Sequence, residues 1–346
     1  MTKVAICGGS GYTGAELIRL LSSHPHVELV AITSERSEGE RVDQLFPHLK
    51  GICDLKFVSL KKNKLEEQAE LLFLALPHGA SQDRVEYFVK AGKRVIDLSA
   101  DYRLRDPEVY RFWYGLEHNY PKTLKKAVYG LPELYRTKIK RAQLVANPGC
   151  YPTSALLGLY PALKAGIINT EGIVIDSKSG TSGAGRKADV AYNFCEINES
   201  FRAYGIATHR HTPEIEQELS KIAKTEITVD FTPHLLPINR GILTTIYAPL
   251  NNKDITEDEI LRIYRKHYRG EPFVRIFEET LPDVRNVRGT NYCDIGVRIN
   301  KRTSTLIVVS AIDNLLKGAS GQAVQNMNLM LGLDETTGLT QIAALP

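Results

Sequence analysis

Apolar positions in the first 150 residues fall into short blocks separated by amphipathic stretches. Val4 to Cys7, Val27 to Thr33, Leu71 to Leu76, Arg94 to Ser99 and Leu144 to Ala146 are the blocks. Gly14 to Leu21 has helical spacing and is closed by His24-Pro25, and a second helix is expected near Ser81 to Ala91. The unbroken apolar run Leu71 to Leu76 has the pattern of a strand buried on both faces. Short strands alternating with helices predict a parallel α/β sheet.

The pattern changes in the second half. Gly172 to Ser177, Thr225 to Pro233, Leu243 to Leu250, Cys293 to Asn300 and Thr305 to Ala311 read as longer sheet segments, less regularly interrupted by helices. They predict an α+β domain with a mixed or largely antiparallel sheet. Apolar or small residues at Leu315, Ala319, Val324, Met327 and Met330 make Asn314 to Met330 a helix. The pattern divides the chain into 1–148, 149–312 and a helical tail, 313–346.

At 346 residues there is enough chain for two cores. Net charge is +4 from 44 basic and 40 acidic residues, too small an excess for a nucleic-acid partner but suited to phosphorylated small ligands. No apolar run reaches the roughly 20 residues of a membrane span, and no secretory pattern opens the chain. The cysteines, at 7, 53, 150, 195 and 293, form no CxxC pair, which argues against a zinc site and a disulfide framework and for a reducing cytoplasm.

Two motifs carry chemistry. Gly8-Gly9-Ser10-Gly11-Tyr12-Thr13-Gly14 follows a strand and opens a helix, the context in which G-x-G-x-x-G binds a dinucleotide. Gly9 is expected at the tight turn, Gly11 beside the pyrophosphate and Gly14 at the helix–strand contact. At the end of the second strand stands Thr33-Ser34-Glu35-Arg36. Glu35 would suit a ribose hydroxyl, whereas Ser34 and Arg36 would hold a 2′-phosphate, and NADP is the expected cofactor. The second motif, Asn147-Pro148-Gly149-Cys150-Tyr151-Pro152-Thr153, sets one cysteine on a rigid turn at the start of a helix, where the thiolate is favoured. A thiolate nucleophile needs a proton carrier, and His209-Arg210-His211-Thr212-Pro213-Glu214 is the densest polar cluster. Lys178 to Arg186 reads as a donor-rich flexible loop, and Arg103 ends a strand-following segment suited to a carboxylate or phosphate.

With Leu76-Pro77-His78-Gly79, Asp97 to Arg103, Lys178 to Arg186 and Asp313 to Gln325 added to these motifs, the chain resembles the N-acetyl-gamma-glutamyl-phosphate reductase family along essentially its whole length. More distantly it is similar to aspartate-semialdehyde and glyceraldehyde-phosphate dehydrogenases. The resemblance implies a Rossmann-type nucleotide domain, a second, α+β catalytic and oligomerisation domain, and a tail, 313–346, that returns to pack on the first domain. It implies Cys150 as nucleophile and His211 as acid/base. Gly9, Ser10, Gly11, Tyr12, Thr13, Gly14, Ser34, Arg36, Pro77, Ser182, Gly183 and Asn314 would then border the NADP cofactor. Arg103, Asn147, Lys178, His209 and Arg210 would border the substrate. No metal is implied. Partners would be an acyl phosphate or semialdehyde and phosphate, in a homodimer or homotetramer. The rival readings are an aspartate-semialdehyde dehydrogenase and a lysine-pathway aminoadipyl-phosphate reductase. Relatives of the latter branch typically replace the Asn-Pro before Gly-Cys and the proline of His-Thr-Pro-Glu; Asn147-Pro148 and Pro213 are retained here.

Overall fold

The computed structural model describes residues 1–186 and 188–344. The chain forms two compact units, Met1–Pro148 with Ala319–Gln341, and Gly149–Gly318 with the residues from Ile342. Residues 313–318, at the start of the expected tail, thus lie in the second unit.

Seven strands of the first unit are β1 (Thr2–Cys7), β2 (Val27–Thr33), β3 (Phe57–Val58), β4 (Leu71–Leu74), β5 (Arg94–Asp97), β6 (Val128–Tyr129) and β7 (Leu144–Ala146). Among the described residues they make one parallel sheet in the order β3-β2-β1-β4-β5-β7-β6. Strand order reverses between β1 and β4, the switch point at which ligands bind in such sheets. Register decides what meets there. Cys7 lies level with Thr33 and Leu74, Leu74 with Asp97, and Asp97 with Ala146. Five strands therefore end in line, and the segments after them emerge along one edge. β4 is wholly buried, as its apolar run requires. The helix Tyr12–Ser22 buries Leu17, Ile18, Leu20 and Leu21. The helix Gly321–Leu331 completes this unit: Asn326 donates to Gly130 O (2.8 Å), and Ser320 Oγ to Thr13 O (2.9 Å).

The second unit holds β8 (Ile173–Gly180), β9 (Arg202–Ala203), β10 (Val229–Leu236), β11 (Ile242–Pro249), β12 (Val274–Phe277), β13 (Cys293–Asn300) and β14 (Thr305–Ile312). Among the described residues these form a mixed sheet, β12-β13-β14-β11-β8-β10-β9. β8 runs parallel to β10, and β11 antiparallel to both β8 and β14. The helix Cys150–Lys164 lies on one face, apolar nearly all round and buried at Tyr151, Leu156, Leu157, Leu159 and Leu163. Gly158 lets it approach closely, since a Cβ there would sit 3.0 Å from Ile246 Cδ1. Pro161 cannot donate to Leu157 O, and the Tyr268 hydroxyl donates to that carbonyl instead.

Candidate active site

Backbone contacts fix the glycine loop of the first unit. Gly8 carries the positive φ (+90°), and a Cβ on it would lie 2.5 Å from Ala75 O, so the tight turn falls one residue earlier than the motif predicts. A Cβ on Gly9 would meet Ile32 at 2.2 Å, and one on Gly14 would meet the backbone of Gly9 at 2.6 Å. Around Gly11, the N-cap of the Tyr12–Ser22 helix, a Cβ would have open space. Gly8 N donates to Thr33 Oγ1 (3.1 Å) and Gly9 N to Thr33 O (2.8 Å), tying the loop to the end of β2. Ser34 Oγ donates to Ser10 Oγ (3.0 Å), so these two predicted cofactor residues stand together. Open space at Gly11 beside a helix N-terminus fits a pyrophosphate.

Glu35 turns away from a ribose role. Its carboxylate accepts from Leu60 N (2.8 Å) and from Ser59 Oγ (3.0 and 3.3 Å). Partial desolvation pushes its carboxyl up, but the Leu60 and Ser59 hydrogen bonds and the Lys61 charge outweigh that and hold it below the usual range. Arg36 is exposed, and its guanidinium takes no hydrogen-bond or ion-pair partner among the described residues.

Pro77 is exposed just beyond β4. The turn after it is pinned by Asp101, whose buried carboxylate accepts from Gly79 N (2.8 Å), Ser81 N (3.1 Å) and Tyr110 Oη (2.8 Å). Arg103 and Asn147, predicted substrate contacts, are committed inside the unit. Arg103 is buried and donates to Asn147 O (2.7 Å) and Leu98 O (2.8 Å). Asn147 donates to Ala319 O (3.0 Å) and accepts from Asn326 Nδ2 (3.1 Å). Both hold the end of β7 in place.

Cys150 is the first residue of its helix, with Gly149 as N-cap in extended conformation. The first amides of a helix have no intrahelical acceptor and make its N-terminus favourable for negative charge; Pro152 has no N–H, and Thr153 N donates to Gly149 O (3.0 Å). Two contacts shape this turn. Buried Glu214 accepts from Gly149 N at 2.8 Å, and a Cβ on Gly318 would lie 2.8 Å from Cys150 Cβ. Cys7, by contrast, is fully buried, which pushes its thiol up to about 12.

Tyr151 gathers the histidines. Its ring centroid is 5.5 Å from His209 and 5.9 Å from His211, and the two imidazoles are 5.0 Å apart. Phe231 of β10 closes the cluster beneath Tyr151 and His209. His211 is the N-cap of the helix Thr212–Ala223, whose first turn also carries Glu214. One helix start thus supplies both the imidazole and the acid that braces the cysteine turn. The two histidines differ in kind. Burial, then the charge of Arg210, pulls His209 down to about 4, and its Nδ1 accepts from His211 N (3.1 Å). Desolvation also pushes the Tyr151 hydroxyl well above its ordinary value, and that hydroxyl hydrogen-bonds Tyr204 (2.8 Å). Arg210 is exposed.

Lys178 to Gly180 belong to β8 rather than to a flexible loop, because their backbone pairs with His234 to Leu236 of β10. Successive strand residues face opposite sides. Ser177 joins Thr244 (2.9 Å), which in turn accepts from Ser154 of the cysteine helix (3.0 Å). Lys178 therefore lies on the face away from that helix, paired with Asp176 (2.9 Å). Beyond β8, Ser182 and Gly183 form a 3₁₀ turn held by Asn314, which donates to Ser182 Oγ (2.9 Å) and accepts from Gly241 N (2.8 Å).

Comparison with known proteins bears on this arrangement. A family model described as the semialdehyde dehydrogenase NAD binding domain matches residues 3–142, and one described as the semialdehyde dehydrogenase dimerisation domain matches residues 150–314. The N-acetyl-gamma-glutamyl-phosphate reductase of Geobacter sulfurreducens is 55% identical over 348 residues, and that of Citrifermentans bemidjiense 53%, in each case covering 100% of both chains. The chain belongs to the N-acetyl-gamma-glutamyl-phosphate reductase family. Among solved structures, aspartate semialdehyde dehydrogenase II of Vibrio cholerae, complexed with ASA, superposes with a TM-score of 0.72 at 19% identity, over 96% of this chain and 98% of that one. The aspartate semialdehyde dehydrogenase of Candida albicans with NADP gives 0.70 at 16% identity, over 96% and 98%. At that identity the likeness is one of fold.

Within this family member, three residues lie in the quoted motifs without a role that the motifs assign: Glu214, Gly318 and Asp313. Asp313 is buried and accepts from Gly289 N (2.7 Å), Leu315 N (2.8 Å) and Arg240, anchoring the segment that carries Asn314 and Gly318. Glu214 does have a sequence signal, since an acid in the first turn of a helix is favoured there. Gly318 has none.

Proposed function

We propose that this chain is an NADPH-dependent N-acetyl-gamma-glutamyl-phosphate reductase. It would convert N-acetyl-L-glutamyl 5-phosphate to the 5-semialdehyde and phosphate. The observation that carries this reading is identity above 50%, across every residue of the chain, to relatives bearing that name. The aspartate semialdehyde dehydrogenases share the fold alone. Retention of Asn147-Pro148 and Pro213 argues against the lysine-pathway branch.

In this reading the Cys150 thiolate attacks the acyl-phosphate carbonyl. The first amides of the Cys150–Lys164 helix stabilise the oxyanion, a contribution of about 3 kcal/mol per donor. Phosphate departs and leaves a thioester on the sulfur. NADPH, when bound, supplies the hydride that reduces that carbonyl. His211 takes the thiol proton at the first step, lends it to the hemithioacetal oxygen, and takes it back as that oxygen becomes the aldehyde carbonyl and the breaking C–S bond frees the sulfur as thiolate. Depression of His209 to about 4 supports His211 as the proton carrier, since His209 stays neutral at physiological pH and spends its Nδ1 on the His211 amide. Glycine-loop geometry, Ser34 and Arg36, which is exposed and takes no partner among the described residues, support NADP. The 150–314 match to a dimerisation domain supports a homodimer or homotetramer. A reducing cytoplasm suits the nucleotide and the thiol.

Reverse turnover tests the assignment. N-acetylglutamate semialdehyde and NADP should give NADPH only when phosphate is added. Equal or faster turnover of aspartate semialdehyde under the same conditions would overturn the substrate.

A further inference from the structure

Ser34-Glu35-Arg36 sets an acid between the two residues expected to take an adenosine phosphate. A carboxylate at the end of β2 accepts from a ribose 2′-hydroxyl and repels a 2′-phosphate, which favours the unphosphorylated nucleotide. Here that carboxylate is turned the other way. Both oxygens accept from Ser59 Oγ, and one also from Leu60 N, on the turn that follows β3. The capturing turn is itself built. Ser59 is buried, its Oγ accepts from Lys61 N (3.2 Å), and its carbonyl accepts from Asn63 Nδ2 (2.8 Å). Ser34 N donates to Val58 O (3.1 Å), which fixes the β2 end against the same turn. Arg36 is left exposed and without a protein partner among the described residues.

We infer that Ser59 determines nucleotide specificity: by holding the Glu35 carboxylate on the β3 turn it clears the end of β2 for a 2′-phosphate and leaves Arg36 to pair with it. Ser59 acts through Glu35 and is a positioning residue. The inference rests on the NADP reading above.

Calorimetric titration of the full chain with NADP and with NAD separates the two. Wild type should bind NADP more tightly; equal affinity, or tighter NAD, would sink the NADP reading and this inference with it. Given that preference, Ser59→Ala leaves the Leu60 N bond to one oxygen and frees the other; it should weaken NADP about tenfold and leave NAD within about twofold, because a carboxylate loosened on that side penalises only the phosphorylated ligand. Adding Glu35→Gln to Ser59→Ala should restore NADP to within about threefold of wild type. Equal losses for both nucleotides, an unchanged ratio, or no rescue would overturn the proposal. Glu35→Gln alone tests it without disturbing the turn. It should shift the NADP/NAD ratio by less than about threefold, whereas a carboxylate facing the nucleotide would give a tenfold gain for NADP.

Discussion

The two units build their sites by opposite means. At the glycine loop, side chains are omitted: Gly8, Gly9 and Gly14 are required by backbone and strand atoms at 2.2 to 2.6 Å, and Gly11 is left open. At the cysteine turn, side chains are packed in: Glu214 holds the Gly149 amide, Tyr151 meets two imidazoles edge-on, and bulk is withheld at Gly318. A nucleotide is gripped by main-chain donors, which need room. A nucleophile must be oriented, which needs contacts. Mutations should therefore act differently at the two places.

The largest effect should come from Cys150→Ser, with phosphate-dependent NADP reduction falling by roughly three orders of magnitude or more. Nucleotide titration should be unchanged, and retained turnover would remove the covalent step. Next comes a contrast within the glycine loop. Gly14→Ala forces a Cβ into the Gly9 backbone and should cost about 3 kcal/mol, read as a fall of about 10 °C in melting temperature. Gly11→Ala should lower melting by no more than about 3 °C yet weaken NADP binding about tenfold. Equal melting losses would show that both glycines serve packing.

Glu214→Ala should be milder. It leaves the Gly149 amide buried without its acceptor, a loss of about 1–3 kcal/mol, and should slow turnover without changing nucleotide affinity. The smallest effect concerns pH. His209 is depressed from 6.5 to about 4 by burial, so the unfolded chain takes up its proton first as pH falls. Its contribution to stability is present above about pH 6.5 and is lost as pH drops toward 4. In denaturant melts, His209→Gln should flatten the wild-type decline across that window; parallel curves would show that His209 is not desolvated in solution.

Hydrophobic pattern made much of this architecture legible. β2, β7 and β13 lie where their apolar runs place them, to the residue, and the parallel and mixed sheets divide between the two halves as expected. Membership of the family was also readable from the motifs. What escaped was short or conditional on partners. β3, β6, β9 and β12 are two to four residues long and gain definition only from the strand beside them. The helix Glu257–His267 has two sequence signals, the buried stripe Ile260, Leu261 and Tyr264 and the Thr256–Glu259 capping box, and stands between sheet segments in a half whose pattern reads mainly as strands. At the sites, a donor-rich composition made Lys178 to Gly180 look like a loop, although pairing with β10 makes them strand and turns Lys178 away from the cysteine helix. The tight turn fell on Gly8 rather than Gly9 because Ala75 O, 67 residues later in sequence, decides which glycine is crowded.

The closing helix of the first unit has a consequence for biosynthesis. Asn147, at the end of β7, bonds Ala319, 172 residues further on, and Asn326 reaches back to Gly130. At roughly 5–20 residues per second, a ribosome needs about ten to thirty seconds to deliver that partner after β7 has been made. The nascent parallel sheet must wait through the synthesis of an entire second unit before its last helix arrives. The order of translation thus exposes the nucleotide-binding half longest, and this half is where a chaperone would be engaged.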